Sequence, residues 1–279
     1  MKKLLLLIKS VYWNLPFSIF IKVFRIRNFK SFNKKVLFNK DDNLIRVQNW
    51  IGKDSNDLTL YVAQRSRLHL YFKGIQFRLD QIFIQYCLDS HPEMFDTQGW
   101  VIDIGANIGE LSMSVIQRYP NQQFLIIEPS SEEMAAAKRN LNGEKVHFNS
   151  SALWKANTTL RFYHANKTGD SSLLPKDLSA PSELIEVRTL DSIVEMLEIN
   201  QINLLKLEAE GAEPEILDGA IKTLKKTKFV AADLGPERGP NELSTYFECS
   251  SKLEALGFKQ ISSYEGGRET YLFRNTALS

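Results

Sequence analysis

The residues able to do chemistry are acids that close short apolar runs. Asp103 lies in Val101-Ile102-Asp103-Ile104, just ahead of the turn Gly105-Ala106-Asn107-Ile108-Gly109. Glu128 ends Phe124-Leu125-Ile126-Ile127, Glu208 and Glu210 follow Ile202 to Leu207, and Asp233 ends Phe229 to Ala232. Short apolar runs bounded by turn residues read as buried strands. A sheet of parallel strands gathers whatever follows their carboxyl ends around one crevice, so acids distant in sequence converge. The two glycines let backbone approach a ligand closely, and Asn107 tolerates unusual backbone angles and can lead into a helix. An acid at the end of the second strand suits a ribose, whose paired hydroxyls one carboxylate can accept. The expected ligand is nucleotide-like. Acid pairs can also hold a divalent cation, but no Asp/Glu/His set stands at recognisable ligand spacing, and no metal is expected.

The elements that must position these acids alternate regularly. Leu111 to Ile116 follows the glycine turn with helical spacing. Ser131 caps a helix from Glu132 to Leu141, Asn142-Gly143 stops it, and Lys145 to Phe148 is the next strand, leading into Ser151-Ala152-Leu153. Strands at Leu160 to His164 and Leu184 to Val187 flank a polar loop, Asn166 to Pro181, long enough to be functional. Asp191 starts a helix through Leu197. Glu213-Pro214-Glu215 opens another that Gly219 interrupts before Leu224, with both acids complementing the helix dipole. A helix is expected from Asn241 to Leu256, then an antiparallel hairpin of Phe258 to Ser263 and Thr270 to Phe273. Upstream, Leu58 to Val62 and Leu68 to Phe72 read as a small hairpin, and Phe77 to Leu88 as a helix that could cover the mouth of the site. The expected class is α/β, a mostly parallel sheet with helices on both faces and a closing antiparallel hairpin.

With 279 residues, 43% of them apolar, the chain can hold one large domain plus an extension. The divisions expected are a basic apolar extension at 1–40, a strand and helix cap at 41–92, and the main domain at 93–279. Met1 to Lys40 carries eight Lys and two Arg without an acid, so against +2 overall the remainder holds a net −8. Within it Ser10, Asn14, Ser18, Lys22 and Arg25 share one helical stripe, opposite an apolar arc with Trp13, Phe17, Phe20 and Phe24, and Pro16 would kink the helix. No run approaches the ~18–20 apolar residues of a spanning helix. The extension reads equally as a peripheral contact with anionic lipid or as a helix packed on the domain or on a second copy in a homodimer. No aromatic-stacking module or zinc finger accompanies the basic residues, so nucleic acid is not an expected partner. Cys87 and Cys249 lack metal-ligand spacing and suit a reducing compartment, giving a cytoplasmic location with the membrane inner face as an option.

Asp103 to Glu110 (DIGANIGE), Ile126 to Ser130 (IIEPS) and Leu204 to Ala220 (LLKLEAEGAEPEILDGA) together resemble the FkbM family of S-adenosylmethionine-dependent methyltransferases. Arg67 to Gly74 and Arg188 to Ile193 fit as well, so the resemblance covers roughly Arg67 to Gly239. It implies a class I methyltransferase fold, S-adenosylmethionine as methyl donor with S-adenosylhomocysteine as product, and as acceptor a hydroxyl on a sugar, glycan or other small or lipid-linked metabolite. This chain has Glu208-Ala209-Glu210 where the family commonly has Asp-Val-Glu.

On that resemblance Asp103 would accept from the cofactor's amino group or orient the turn's amides, and Glu128 would hold the ribose. The backbone of Gly105, Asn107 and Gly109 would approach the cofactor, and Ser151 and Ala152 would flank the adenine. An alcohol is a poor nucleophile until its proton is taken, which calls for a carboxylate or imidazole near the oxygen. Glu208, Glu210, Asp233 and His164 are the available groups, with Glu210 or Asp233 the preferred bases. Two other readings remain: a cofactor-binding or membrane-docked scaffold without turnover, and a nicotinamide-dependent oxidoreductase, for which the turn lacks the three-glycine spacing.

Overall fold

A computed structural model describes residues 43–46, 50–53, 58–63, 67, 70–71, 74–164, 171–175, 177–264, 266 and 268–278. The expectations for residues 1–40 and for Gly169-Asp170 of the long loop lie outside the described residues.

The strands and helices of the main sheet alternate as expected. In chain order it contains β4 (Trp100–Ile104), α2 (Glu110–Arg118), β5 (Gln123–Ile127), α3 (Ser131–Asn140) and β6 (Val146–Asn149). A side sheet follows, with β7 (Ala152–Leu153), β8 (Thr158–Tyr163) and β9 (Ser182–Arg188) in the order β7-β9-β8. The main domain resumes with α4 (Leu190–Met196), β10 (Ile202–Leu207), α5 (Glu213–Asp218), α6 (Ile221–Leu224) and β11 (Thr227–Asp233). It ends with the short hairpin β12 (Pro236–Arg238) and β13 (Leu243–Ser244), then α7 (Tyr246–Ala255), β14 (Phe258–Tyr264) and β15 (Thr270–Asn275). Before all of these come β1 (Asn43–Arg46), β2 (Trp50–Lys53), β3 (Thr59–Val62) and α1 (Ile75–Gln85).

Among the described residues seven strands form the main sheet, in the order β14-β15-β11-β10-β4-β5-β6. β10 pairs in parallel with β4 and β11, as do β4 with β5 and β5 with β6; β15 runs antiparallel to both β11 and β14. This is the class I methyltransferase fold. The chain winds outward from β4 in one direction and from β10 in the other, so a crevice opens beyond their carboxyl ends where the order reverses. Every residue of β10 is buried, as in a parallel strand covered on both faces. The pleat sorts its neighbours accordingly: Val101, Phe124 and Leu204 face a core shared with α1, α2 and α3, while Ile102, Leu125 and Leu205 face one shared with α4, α5 and α7.

Two expectations need correction. β3 lies where a strand is expected, but its partner is β2; Leu70 and Tyr71 sit in a helical turn. Tyr71 buries its ring there and donates its hydroxyl to Glu110 at 2.7 Å, a tertiary contact that overrides the local alternation. The helix expected from Asn241 begins only at Tyr246, because β12 and β13 pair across a turn holding two left-handed residues, Gly239 at φ 64° and Glu242 at φ 48°. Residues of the cap region, Leu60, Ile75, Leu79 and Phe83, share a continuous core with Val101 and Phe124 of the main sheet. Asn140 ties the two together further: its Oδ1 accepts from the Tyr61 amide at 2.7 Å and its Nδ2 donates to the Ile108 carbonyl at 2.8 Å.

Candidate active site

The crevice beyond β4 and β10 contains a cavity of about 160 Å³. Of the residues singled out in the sequence, Asp103, Gly105, Asn107, Glu128, Ser151, Ala152, Glu208 and Glu210 line it. Gly109 and Asp233 do not. Gly109 begins α2 at φ 85°, and a Cβ there would come within 2.5 Å of Leu141 Cδ1, so its missing side chain serves helix packing rather than ligand approach. His164 follows β8 with its ring bonded to Glu183 at 3.0 Å and is likewise absent from the lining.

Asp103 and Lys206 are register partners on adjacent parallel strands, which places their side chains on one face of the sheet. Asp103 is fully buried, and its Oδ2 accepts from the Ser112 hydroxyl at 2.7 Å. Its Oδ1 has an ion-pair distance of 3.4 Å to Lys206 Nζ but no hydrogen bond. The ammonium spends its donors on the carbonyls of Ile104 at 3.0 Å and Gly105 at 2.7 Å, and lies 3.1 Å from Glu208 Oε2. A lysine in the middle of a buried run is the signal that sequence inspection passed over. Burial opposes its charge, but Glu208 and Asp103 outweigh this and raise its proton affinity above the usual lysine value.

Glu128 sits at the end of β5 with both oxygens engaged by the backbone: Oε2 accepts from the Asn107 amide at 2.8 Å and Oε1 from the Ser130 amide at 2.9 Å. Asn107 adopts φ 52° to present that amide. Burial pushes the Glu128 carboxyl up to about 7, only partly offset by the two amides. Each carboxylate oxygen carries a second lone pair, so the group keeps acceptor capacity for a ligand hydroxyl.

On the other side, Glu208 is enclosed by donors. Tyr86 from the end of α1 donates at 2.6 Å to Oε2, and Arg268, just before β15, lies 2.9 Å from Oε1. Burial would raise this carboxyl, but Arg268 and Lys206 prevail and hold it far below the usual range. A carboxylate so stabilised binds a proton weakly and makes a poor base. Asp233 stands behind it, 3.1 Å from the same guanidinium; burial and the charge of Glu208 raise it to about 6. Glu208 is thus committed to three protein donors, and Asp233 is held by Arg268 outside the cavity lining. Glu210 remains in the lining, with φ 51° and its carbonyl accepting from Ser172 Oγ at 3.0 Å.

The segment from Glu208 to Glu215 is a set of braces. Glu213 Oε1 accepts from the amides of Ala209 at 2.7 Å and Gly211 at 3.2 Å, and its Oε2 accepts from the Thr245 hydroxyl at 3.1 Å. Glu215 grips Arg238 of β12 with two bonds of 2.6 and 2.8 Å. These acids do more than complement a helix dipole, since they fold the turn and fasten β12 to α5. The lining also includes Arg67, Arg78, Glu110, Glu237 and Arg268, none of which the sequence alone marks as a site residue. Among the described residues no three His, Cys, Asp or Glu side chains are grouped to hold a metal ion, no helix is long and apolar enough to cross a membrane, and both cysteines are free and buried.

Arg78 and Glu110 form a buried two-bond pair at 2.9 and 3.2 Å, joined by the Tyr71 hydroxyl. Burial opposes ionisation of Glu110, but Arg78 overcomes it and lowers the carboxyl from 4.5 to about 2. A depressed value in the folded state stabilises above the unfolded one and is lost as pH falls from about 4.5 towards 2. The difference corresponds to about 3 kcal/mol. Urea unfolding should show Glu110→Gln about 3 kcal/mol less stable than wild type at pH 7, with the gap closing towards pH 2; a gap independent of pH would contradict the assignment.

The profile of the methyltransferase FkbM domain matches residues 103–259. "Methyltransferase 1" of Beauveria bassiana is 25% identical over 189 residues, covering 59% of this chain and 73% of that protein. "2-O-methyltransferase NoeI" of Sinorhizobium fredii is 23% identical over 242 residues, covering 78% of this chain and 96% of that protein. A solved O-methyltransferase family protein from Burkholderia thailandensis superposes with a TM-score of 0.43 at 13% identity, covering 76% of this chain and 59% of that one. Because the matching profile spans more than half of its length, the chain belongs to the FkbM family of S-adenosylmethionine-dependent methyltransferases.

Proposed function

We propose that the protein transfers the methyl group of S-adenosylmethionine to a hydroxyl of a sugar, glycan or other small or lipid-linked metabolite, with a carboxylate taking the hydroxyl proton. The observation that carries this reading is Asp103 Oδ1, a buried oxygen without a hydrogen bond on a residue that lines the cavity. An acceptor left unsatisfied in a buried site is costly unless a ligand donor fills it, and the cofactor's amino group is such a donor. Glu128 would hold the ribose hydroxyls on its remaining lone pairs, and Ser151 and Ala152 would lie against the adenine. The relative called a 2-O-methyltransferase supports oxygen as the methylated atom.

When bound, the cofactor supplies an activated methyl group, so the protein's own work is to align the acceptor oxygen, exclude water and receive one proton. Glu208 lies between two cations, 3.1 Å from Lys206 and 2.9 Å from Arg268, which gives the acceptor half fixed charges of both signs. Calorimetry tests the reading: S-adenosylhomocysteine should bind and NAD should not, whereas binding of NAD alone would remove it. Glu128→Ala should weaken S-adenosylhomocysteine by roughly 10–100-fold, the loss of one or two charge-assisted hydrogen bonds. Unchanged affinity would show the ribose contact to be elsewhere. A screen of glycan and lipid-linked acceptors with labelled methyl donor, followed by product mass, identifies the acceptor.

A further inference from the structure

We propose that Glu237 is the catalytic base that accepts the acceptor's hydroxyl proton, an assignment that rests on the hydroxyl-methylation reading above. Six acidic residues are among those that line the cavity: Asp103, Glu110, Glu128, Glu208, Glu210 and Glu237. Most are spoken for by the protein. Ser112 donates to Asp103, Arg78 and Tyr71 hold Glu110, two amides hold Glu128, and Tyr86, Lys206 and Arg268 hold Glu208. The Glu237 carboxyl forms no hydrogen bond or ion pair with any described residue, and Glu237 is among the residues that line the cavity. A base needs a free lone pair within ~2.6–3.2 Å of the proton it takes.

The backbone that carries Glu237 is firmly held even though its carboxyl is not. The Glu237 amide donates to the Gly235 carbonyl at 2.9 Å, Pro236 pairs with Ser244, and Arg238 pairs with Leu243. Arg238 then clamps to Glu215 with two bonds and donates to the Gly211 carbonyl at 2.6 Å. Gly211, at φ 96°, is where a Cβ would meet the Arg238 backbone, so turn and hairpin interlock. A reacting group mounted on a braced hairpin keeps its aim without being consumed by its supports.

The electrostatics agree with the geometry. Burial raises the Glu237 carboxyl to about 8, helped by the charges of Glu208 after β10, Asp233 ending β11 and Glu213 opening α5, and opposed by Arg268 before β15. A base with a proton affinity near working pH transfers protons efficiently. In the reaction the acceptor oxygen forms a bond to the methyl carbon while the carbon–sulfur bond breaks and its electron pair returns to sulfur. The hydroxyl proton passes to a Glu237 oxygen, giving a neutral acid that later releases the proton to solvent.

The test uses the full chain and Glu237→Gln, which keeps the side-chain volume. Both proteins should bind S-adenosylhomocysteine equally by calorimetry. Infrared difference spectra of wild type should show a carboxyl titrating between about pH 7 and 9 that the variant lacks. Transfer of labelled methyl to a mixed glycan and lipid-linked acceptor extract should be at least about 100-fold slower in the variant, with partial recovery in Glu237→Asp. The wild-type rate should rise about tenfold per pH unit and level off near pH 8. Equal rates in wild type and variant, or the same titration in both, would overturn the assignment while leaving hydroxyl methylation standing. Binding of S-adenosylhomocysteine with no transfer to oxygen by wild type would overturn the hydroxyl reading and this assignment with it.

Discussion

Lys206→Met is expected to destabilise the fold by roughly 3–5 kcal/mol, the usual consequence of removing one partner from a buried ion pair. In a domain of this size that lowers the unfolding midpoint by on the order of 10 °C. The methionine fills the space but donates nothing to the Ile104 and Gly105 carbonyls, and it leaves Asp103 and Glu208 facing each other without the intervening ammonium. Two buried charges then have to be neutralised or hydrated. Scanning calorimetry at pH 7 measures the shift. Adding Glu208→Gln to Lys206→Met should recover part of the loss, because the repelling charge is gone. An unchanged midpoint in the single variant would mean that Arg268 alone compensates the acids.

Gly105→Ala should be as damaging, at about 4 kcal/mol or more, a size seen when a side chain is forced into an occupied, left-handed position. Gly105 has φ 66°, and a Cβ there would overlap the backbone carbonyl oxygen of Glu208. Neither side of the turn can give way: the Gly105 and Ala106 amides donate to the Ile127 carbonyl at 2.9 and 3.1 Å, and the Gly105 carbonyl is held by Lys206. Gly109→Ala is the comparison, since its Cβ would meet the end of the flexible Leu141 side chain. The measured loss should be clearly larger at Gly105. Equal losses would show that the left-handed angle, common to both, sets the penalty and that the Glu208 carbonyl can move.

The parts of this molecule legible in the sequence are those set by periodicity and turn chemistry. Val101 to Ile104 and Ile202 to Leu207 read as buried strands because parallel strands are apolar on both faces, and Glu128 could be placed because it closes another, Phe124 to Ile127. The surroundings of Glu208 were harder to read because their members meet only in three dimensions. Tyr86 comes from α1, Lys206 from β10 and Arg268 from the approach to β15, and no local pattern announces their meeting at Glu208. Asp233 and Glu237 show the same limit. The acid at the strand end looked the better base, yet it is bound by Arg268, while Glu237 of β12 lines the cavity with no hydrogen bond or ion pair from its carboxyl to any described residue.

The matched stretch, 103–259, and the cavity do not have the same limits. Arg67, Arg78 and Ile82 enter the lining from before it and Arg268 from beyond it. A likeness confined to that stretch therefore compares Asp103, Glu128, Lys206 and Glu208 and is blind to four other residues of the lining. Relatives can diverge at those four without the likeness registering it, so an acceptor learned from one member is inherited by another only when these flanking positions are compared as well.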